Sequence, residues 1–591
     1  MPADTIPSRL FKQATSRPSA PAYYKKVGES WKVTSWSEYA GLVRRAGKSL
    51  IALGVPAGGT VSILGFNRPE WVVMDVATMC IGGAPAGIYT TSSHSEVRYI
   101  AHHAESKVIL LENAAQWDKV LKELPNLPIL EHVVMMEGAP KIDHPKVMSW
   151  DDFLSRGDAL DDQRFQERLD ALEPSGLATL IYTSGTTGPP KGVMLSHENL
   201  SWTASYAERV KLISPSDTTL SYLPLSHIAE QVFTIHGSLS QGYAVYFAET
   251  IEKVPDNLKE VQPTLFFGVP RIWEKFYAGI RQKLSEAPPL RQKIAARAMK
   301  IGRAYNLEKN EGRTPGFFLS TGYAIANKLV YSKLKPAIGL GKARVLVSGA
   351  APIAREVLEF FMGLDVVVQE VYGQSEDTGP TSFNLPGKLR LGTVGQPLDG
   401  VQVKIAEDGE ILVKGPNVFL GYYKEPEATA ATLKDGWLHS GDLGAFDPDG
   451  FLMITGRKKE ILITAGGKNI APKNIEAALK NHVLISEAVV IGDRRKYLTV
   501  LLTLDPEASA RFLKEKGLSG EPHTLREVKE EVQRVIDEVN SDLARVEGLK
   551  KFHLLHRAFG IETGELTPTL KVKRNIVYKN FEAEIEAMYA E

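Results

Sequence analysis

Short, almost wholly apolar runs recur along the chain between longer stretches of helical periodicity, and this rhythm narrows the fold more than any other feature. Val108-Ile109-Leu110-Leu111, Val133-Val134-Met135-Met136 and Val345-Leu346-Val347 are each bounded by polar residues, Gly or Pro. A strand with one wet face alternates apolar and polar residues. A strand without that alternation is covered on both faces, as in parallel sheets flanked by helices. The expected class is therefore α/β. A chain of 591 residues, 43% hydrophobic and 24% charged, can bury a large core, and its composition excludes collagen-like and wholly disordered chains.

Charge and cysteine content narrow the partners. Seventy Lys and Arg balance seventy Asp and Glu, so no long-range field draws in nucleic acid or an anionic surface, and an anionic ligand has to be gripped locally. No nucleic-acid partner is expected. The single cysteine, Cys80, cannot close an internal disulfide, lies in an apolar stretch that reads as core, and fits a cytoplasmic setting. The first thirty residues lack the apolar centre of a signal peptide, and the most apolar later stretch, residues 71–89, is interrupted by Asp75 and Pro85. Residues 271–303 read as long helices broken at Pro288-Pro289, with nine Lys or Arg against Glu274 and Glu286. A solvated helical face explains that bias, and peripheral membrane contact stays open.

Texture changes near residue 456. After a turn-rich stretch come short strands around Val489–Ile491 and Thr499–Leu504, then Leu525, Val528, Val532, Val535, Val539 and Leu543 at spacings of three and four, the stripe of one amphipathic helix. This predicts a large unit over 1–455, a connection at 456–459 and a small α+β unit over 460–591.

The richest segment chemically is Leu180–Gly192, an apolar strand running into LIYTSGTTGPPKG. Gly185 and Gly188 let backbone N–H groups converge on an anion. Thr183, Ser184, Thr186 and Thr187 add hydroxyls, and Lys191 adds a mobile positive charge. Two residues separate the glycines and Gly192 follows the lysine, so this is not the Walker pattern, and a P-loop kinase or GTPase is disfavoured.

YTSGTTGPPKG resembles the signature of the adenylate-forming superfamily: acyl-CoA synthetases, peptide-synthetase adenylation domains and luciferases. That resemblance predicts further motifs in fixed order, and they follow. Ser348-Gly349-Ala350-Ala351-Pro352 resembles the segment against which the family's adenine lies. Gln369–Glu376 is similar to the family's YGxTE element, with serine in place of threonine. The resemblance implies that Tyr372 stacks on adenine, that Glu370 or backbone there, with Val371, meets its amino edge, and that Ser375 binds the α-phosphate. Glu376 is implied as the Mg2+ ligand, with Thr183 the second candidate. Asp442, in DGWLHSGD, would accept the ribose hydroxyls, and Arg457, in GRKKE, would donate to ribose or phosphate oxygens. Lys459 falls at the family's hinge, about which a small mobile C-terminal domain rotates between two half-reactions. Lys571, in GELTPTLKVKR, aligns with the lysine that stabilises charge at the α-phosphate. The family commonly has PKTxSGK where this chain has TPTLK, so Lys573 is kept as a lesser candidate. The implied fold is a large N-terminal domain of α/β subdomains plus a β-barrel-like part, followed by that small α+β domain.

The implied reaction joins ATP and a carboxylate into an acyl-adenylate, releasing pyrophosphate, with magnesium offsetting phosphate charge. Gly373 stands where acetyl-type relatives carry tryptophan, so an open acyl tunnel is expected. His227, in Pro224-Leu-Ser-His227, resembles the element near the acyl carbonyl. The motif at Pro263–Lys275, the long insert after Trp273 and the TPTLK variant are similar to long-chain and bubblegum-type fatty acyl-CoA synthetases. The expected substrates are thus a long-chain fatty acid, ATP and coenzyme A, with Gly466 and Gly467 lining the pantetheine path, in a monomer or a homodimer. An acyl-AMP ligase that loads a carrier protein, an amino-acid-adenylating domain, a luciferase and a non-catalytic binding protein of this fold are the alternatives. No carrier domain follows Arg574, which weighs against a modular synthetase. Lys571, Glu376 and Arg457 are all present, which weighs against lost turnover.

Overall fold

The computed structural model describes residues 3–183, 189–465, 468–545, 547–567 and 570–590. The apolar runs become strands of two large sheets. The first has eight strands in the order Gly421–Tyr422, Lys191–Ser196, Leu177–Thr183, Ala84–Ile88, Thr60–Leu64, Val108–Leu111, His132–Met135 and Val147–Ser149. The last six run parallel, and Lys191–Ser196 pairs antiparallel with the strand on each side of it. The second has nine strands, with six parallel ones at its centre: Val368–Tyr372, Val345–Ser348, Leu265–Gly268, Thr218–Ser221, Ala244–Phe247 and Pro21–Val27. Val108–Leu111 and Thr60–Leu64 are buried at every residue, as strands covered on both faces must be.

The apolar stretch at 71–89 is interior rather than membrane. It supplies the helix Pro69–Cys80, buried at every residue, and the buried strand Ala84–Ile88. No described helix is long and apolar enough to cross a membrane. Cys80 is fully buried, as expected of core. The helical region beyond residue 270 is two helices, Pro270–Ser285 and Pro289–Asn310. They part where Pro288 and Pro289 remove the backbone donors a continuous helix needs.

The antiparallel part is a five-stranded sheet built on the long strand Trp437–Phe446, which pairs with Glu410–Lys414, Leu433–Lys434 and Leu452–Arg457. Beyond it lies a three-stranded sheet of Ile485–Ile491, Leu498–Leu504 and Leu549–Leu554. The helix Arg526–Ser541 covers it, burying Val528, Val532, Val535 and Ile536.

The apolar clusters keep these parts separate. Those built from residues up to Leu452 share no buried member with those that start at Leu462. Polar contacts cross the divide. Arg271 stands 3.7 Å from Glu487, and the Arg511 guanidinium donates to Gln282 at 2.6 Å.

Candidate active site

The strand Leu177–Thr183 turns back as Lys191–Ser196, with Thr183 opposite Lys191. Ser184, Gly185, Thr186, Thr187 and Gly188 lie outside the described residues. Lys191 rests its ammonium over the Tyr422 ring, 4.7 Å from the centroid, and 4.0 Å from Glu425. Tyr422 donates its hydroxyl to Glu376 at 2.7 Å. The phosphate-loop lysine and the magnesium-ligand candidate thus share one aromatic neighbour, carried there by the edge strand Gly421–Tyr422.

The parallel strands Val345–Ser348 and Val368–Tyr372 lie side by side, with Ser348 opposite Glu370. Their ends deliver both of the next motifs to one rim. A Cβ on Gly349 would come within 2.6 Å of Val371, so only glycine allows that approach. Ala350, at φ +67°, then turns the chain outward, and Ala351 and Pro352 are exposed. Glu370 is buried, its carbonyl accepts from the Asn384 N–H, and one carboxyl oxygen has no hydrogen-bond partner among the described residues. Burial raises its pKa to about 8, so the carboxyl is neutral at pH 7 and can donate as well as accept.

The turn after Tyr372 is held by a residue the motif reading passed over. Asp377 is fully buried, accepts from the Gln374 N–H at 2.7 Å and from the Thr381 hydroxyl, and its carbonyl accepts from Asn417. Burial holds its carboxyl well above the ordinary range. Ser375 is buried beside it. Gly373 has a different reason from the one expected. A Cβ there would overlap the Gly379 carbonyl, so backbone packing demands glycine at this point, and an open acyl tunnel is not needed to explain it.

Tyr372, Asp442 and Arg457 form a connected row. The Tyr372 hydroxyl donates to one Asp442 oxygen at 2.9 Å, and Arg457 Nε donates to the other at 2.9 Å. Register explains the second bond, because Asp442 and Arg457 face each other across paired strands. One residue on, Lys458 pairs with Glu410 of the same sheet and with Asp408 in the turn before it. Lys459 is exposed and has no ion pair among the described residues.

Lys571 comes from the opposite side of the cleft. Its hairpin is closed by bonds in both directions between Thr567 and Lys571, with Leu570 at φ +60° and a bridge from Leu566 to Val572. Loss of surrounding water lowers the pKa of its ammonium, Arg457 and Lys473 repel it, and Asp442 and Glu376 pull the other way. The residue as a whole keeps an exposed surface, so the loss of water is partial, as on the wall of a cleft rather than in a core. Lys573 instead starts the helix Arg574–Asn580 and donates its N–H to the Glu565 carbonyl. Gly466 and Gly467 lie outside the described residues.

His227 completes this side. Its Nδ1 accepts the Ala229 N–H at 3.2 Å, which places the proton of the neutral ring on Nε2. Burial, then the charge of Lys571, lowers its pKa to about 4. Glu230, one turn further, is buried and bonded by the Ser221 and Thr234 hydroxyls at 2.7 Å each and by Asn67 at 3.2 Å. Burial raises its pKa to about 7 against those bonds. Among the described residues, no group of three His, Cys, Asp or Glu is placed to hold a metal ion.

The AMP-binding enzyme family matches residues 10–423, and the AMP-binding enzyme C-terminal domain matches residues 459–591. The chain belongs to the AMP-binding enzyme family. It is 38% identical to the long-chain-fatty-acid–CoA ligase ACSBG2 of Xenopus laevis over 96% of this chain and 81% of that one. With the long-chain-fatty-acid–CoA ligase FadD15 of Mycobacterium bovis the identity is 36%, over 99% and 97%. Two solved AMP-binding structures show the same fold. The A domain of carboxylic acid reductase from Segniliparus rugosus, in complex with AMP and a co-purified carboxylic acid, has a TM-score of 0.76 at 20% identity, covering 99% and 94%. MenE from Bacillus subtilis, in complex with ATP and magnesium ion, has a TM-score of 0.68 at 22% identity, covering 96% and 98%.

Proposed function

We propose that this enzyme activates a long-chain fatty acid with ATP and transfers the acyl group to coenzyme A. The observation that carries the reading is the convergence of Lys571, from the far end of the chain, on Glu376 and on the Tyr372–Asp442–Arg457 row. A cation offered to a cleft rimmed by a phosphate-loop lysine and a ribose-binding carboxylate suits attack of a carboxylate on a nucleotide α-phosphate. The full-length similarity to long-chain-fatty-acid–CoA ligases supports the acyl chain length and the thiol acceptor.

In the first step a carboxylate oxygen bonds to the α-phosphorus, and the bond to pyrophosphate breaks. Lys571 steadies the charge that gathers there, and Asp442 and Arg457 fix the ribose side. Neutral His227 keeps its Nε2–H available to the acyl oxygen. In the second step the thiol sulfur attacks the acyl carbon, AMP leaves, and the thiol proton passes to solvent. Glu376 fits Mg2+ as a hard carboxylate oriented by the Tyr422 hydroxyl, and Thr183 is the second donor. This suits an ion that takes most of its ligands from phosphate and water. Bound there, the ion would neutralise charge on the leaving pyrophosphate. The polar contacts between the two units, with their separate cores, support rotation of the small unit about 456–459 between the steps.

The test is pyrophosphate release across saturated acids of two to twenty-four carbons, with and without coenzyme A. Turnover that peaks with long chains and requires coenzyme A is expected. Adenylate that accumulates and never passes to coenzyme A would overturn the acceptor, and a peak at two to four carbons would overturn the chain length.

A further inference from the structure

Two features outside the active site coincide on one helical hairpin. The helix Pro289–Asn310 returns as Phe317–Ala326 and continues through Asn327–Tyr331 and Ser332–Ala337. The legs run antiparallel: Tyr305 stacks on Tyr323 at 3.9 Å, and the Tyr331 hydroxyl donates to the Ala298 carbonyl at 2.5 Å. This inner seam buries Ala298, Ala326 and Tyr331. The outer side is apolar and uncovered. Phe317 is 79% exposed, Phe318 89%, Leu290 70%, Ile325 56% and Leu329 51%. Phe317 and Phe318 are the only aromatic residues among the exposed large apolar side chains of the described residues. Phe318, Ile325 and Leu329 are spaced by seven and four residues, so they share one face of their helix. An apolar stripe led by two open phenyl rings is a surface built to be covered.

The charge around that stripe identifies the cover. Residues 289–337 hold ten Lys and Arg against Glu308 and Glu311 alone, in a chain whose net charge is zero. Three of the ten are neutralised: Arg303 by Glu359, Arg313 by Glu311 and Lys335 by Asp365. Arg291, Lys293, Arg297, Lys300, Lys328 and Lys333 are exposed, with no ion pair among the described residues. A second copy of this chain would set two such basic fields against each other, so self-association on this face is disfavoured. Open aromatics on a hairpin that also carries unpaired lysines and arginines along its length suit the boundary of an anionic bilayer, where rings enter the headgroup layer and cations meet lipid phosphates.

We propose that the hairpin 289–337 docks the enzyme on anionic lipid bilayers, with Phe317 and Phe318 entering the headgroup region and Arg291, Lys293, Arg297 and Lys328 pairing with lipid phosphate or carboxylate. No residue of the proposed active site takes part. Bilayer binding and acyl activation are therefore separable, and failure of either leaves the other standing.

The experiment is flotation of the full-length protein with vesicles of phosphatidylcholine alone and with 30% phosphatidylglycerol (about one lipid in three, enough for a marked surface potential), at low and high salt. Binding to the anionic vesicles that weakens with salt is expected. The pair Phe317→Ser with Phe318→Ser, and separately Arg291→Gln, Lys293→Gln and Arg297→Gln together, should each lower partitioning by on the order of tenfold. Turnover of a short, water-soluble acid should stay unchanged, and this also reports that both variants fold. The proposal is overturned by absence of binding to anionic vesicles, or by binding that neither set of substitutions weakens. A dimer in solution that Phe317→Ser with Phe318→Ser dissolves would overturn it too, giving the face to a second copy.

Discussion

Replacing Glu565 by Gln should slow acyl-adenylate formation far more than thioester formation, because this carboxylate anchors the segment that carries Lys571. Glu565 is fully buried. It accepts from both terminal nitrogens of Arg557, from the Thr563 hydroxyl, from Asn580 and from the Gly560 N–H, and its carbonyl takes the Lys573 N–H at 2.7 Å. These bonds pin both ends of the Lys571 hairpin. Burial by itself would raise the carboxyl's pKa, but the donors prevail and hold it at about 2, against an ordinary 4.5. At 1.36 kcal/mol per unit, that difference amounts to about 3 kcal/mol favouring the folded carboxylate. The pKa is depressed, so the contribution is complete above pH 4.5 and is lost as the pH falls through about 2. A neutral amide forfeits most of it at every working pH and leaves Arg557 without its counter-ion. Pyrophosphate release should fall by on the order of tenfold or more, while transfer from supplied acyl-adenylate to coenzyme A stays within about twofold. A urea melt of the full chain distinguishes a loosened loop from a lost domain. Wild-type adenylation in Glu565→Gln, or equal loss of both steps in a variant that melts normally, would refute the anchoring argument.

Lys571→Ala should cut adenylate formation by about 10²–10³-fold and spare transfer from preformed adenylate; Lys573→Ala, measured alongside, should do much less. Gly373→Ala should cost about 3 kcal/mol or more in a thermal melt, since its methyl meets backbone that cannot step aside. Its turnover should drop alike for all chain lengths, and a stable variant with a preference for shorter acids would restore the open-tunnel explanation. The His227 ring should stay neutral from pH 7 down to about 4 and should titrate at higher pH in Lys571→Ala, where one source of repulsion is gone; an unmoved imidazole resonance would separate the two residues. Lys459→Ala should leave adenylation intact and slow thioester formation, and an unchanged second step would remove its hinge role.

Much of the architecture was legible because burial on two faces writes itself into consecutive residues. Val108–Leu111 and Val345–Ser348 are strands where the apolar runs place them, and the stripe from Leu525 to Leu543 contains the helix Arg526–Ser541. The motif residues stand out in the sequence for a related reason, and the structure brings three of them, Tyr372, Asp442 and Arg457, into one bonded row. What stayed hidden depends on contacts between distant segments. Tyr422, which joins Lys191 to Glu376, lies on a two-residue edge strand with no periodicity of its own. Asp377 looks like any turn aspartate until Thr381 and the distant Asn417 fold against it. The overlap that reserves position 373 for glycine comes from a backbone fold six residues on, so the same letter supported a tunnel argument from sequence and a packing argument from structure. Glu230 did carry a signal, a lone acid in an apolar segment, but its partners Asn67 and Ser221 come from elsewhere in the chain.

The division of labour across residues 458–460 follows from where each charge is attached. Tyr372, Asp442 and Arg457 lie on strands of the large unit and bond to one another directly, and Lys458 ties the end of that strand to Asp408 and Glu410. Lys571 belongs to the small unit and meets this row only through space. Two contacts between the units, Arg271 with Glu487 and Arg511 with Gln282, are polar and partly exposed, a kind of contact worth little each in water. Rotation after Lys458 would therefore withdraw the Lys571 charge while leaving the nucleotide row as it stands. On the proposed reaction an acyl-adenylate needs that charge while it forms and an open thiol path afterwards, so one movement about this polar seam would meet both requirements without dismantling the row proposed to hold the intermediate.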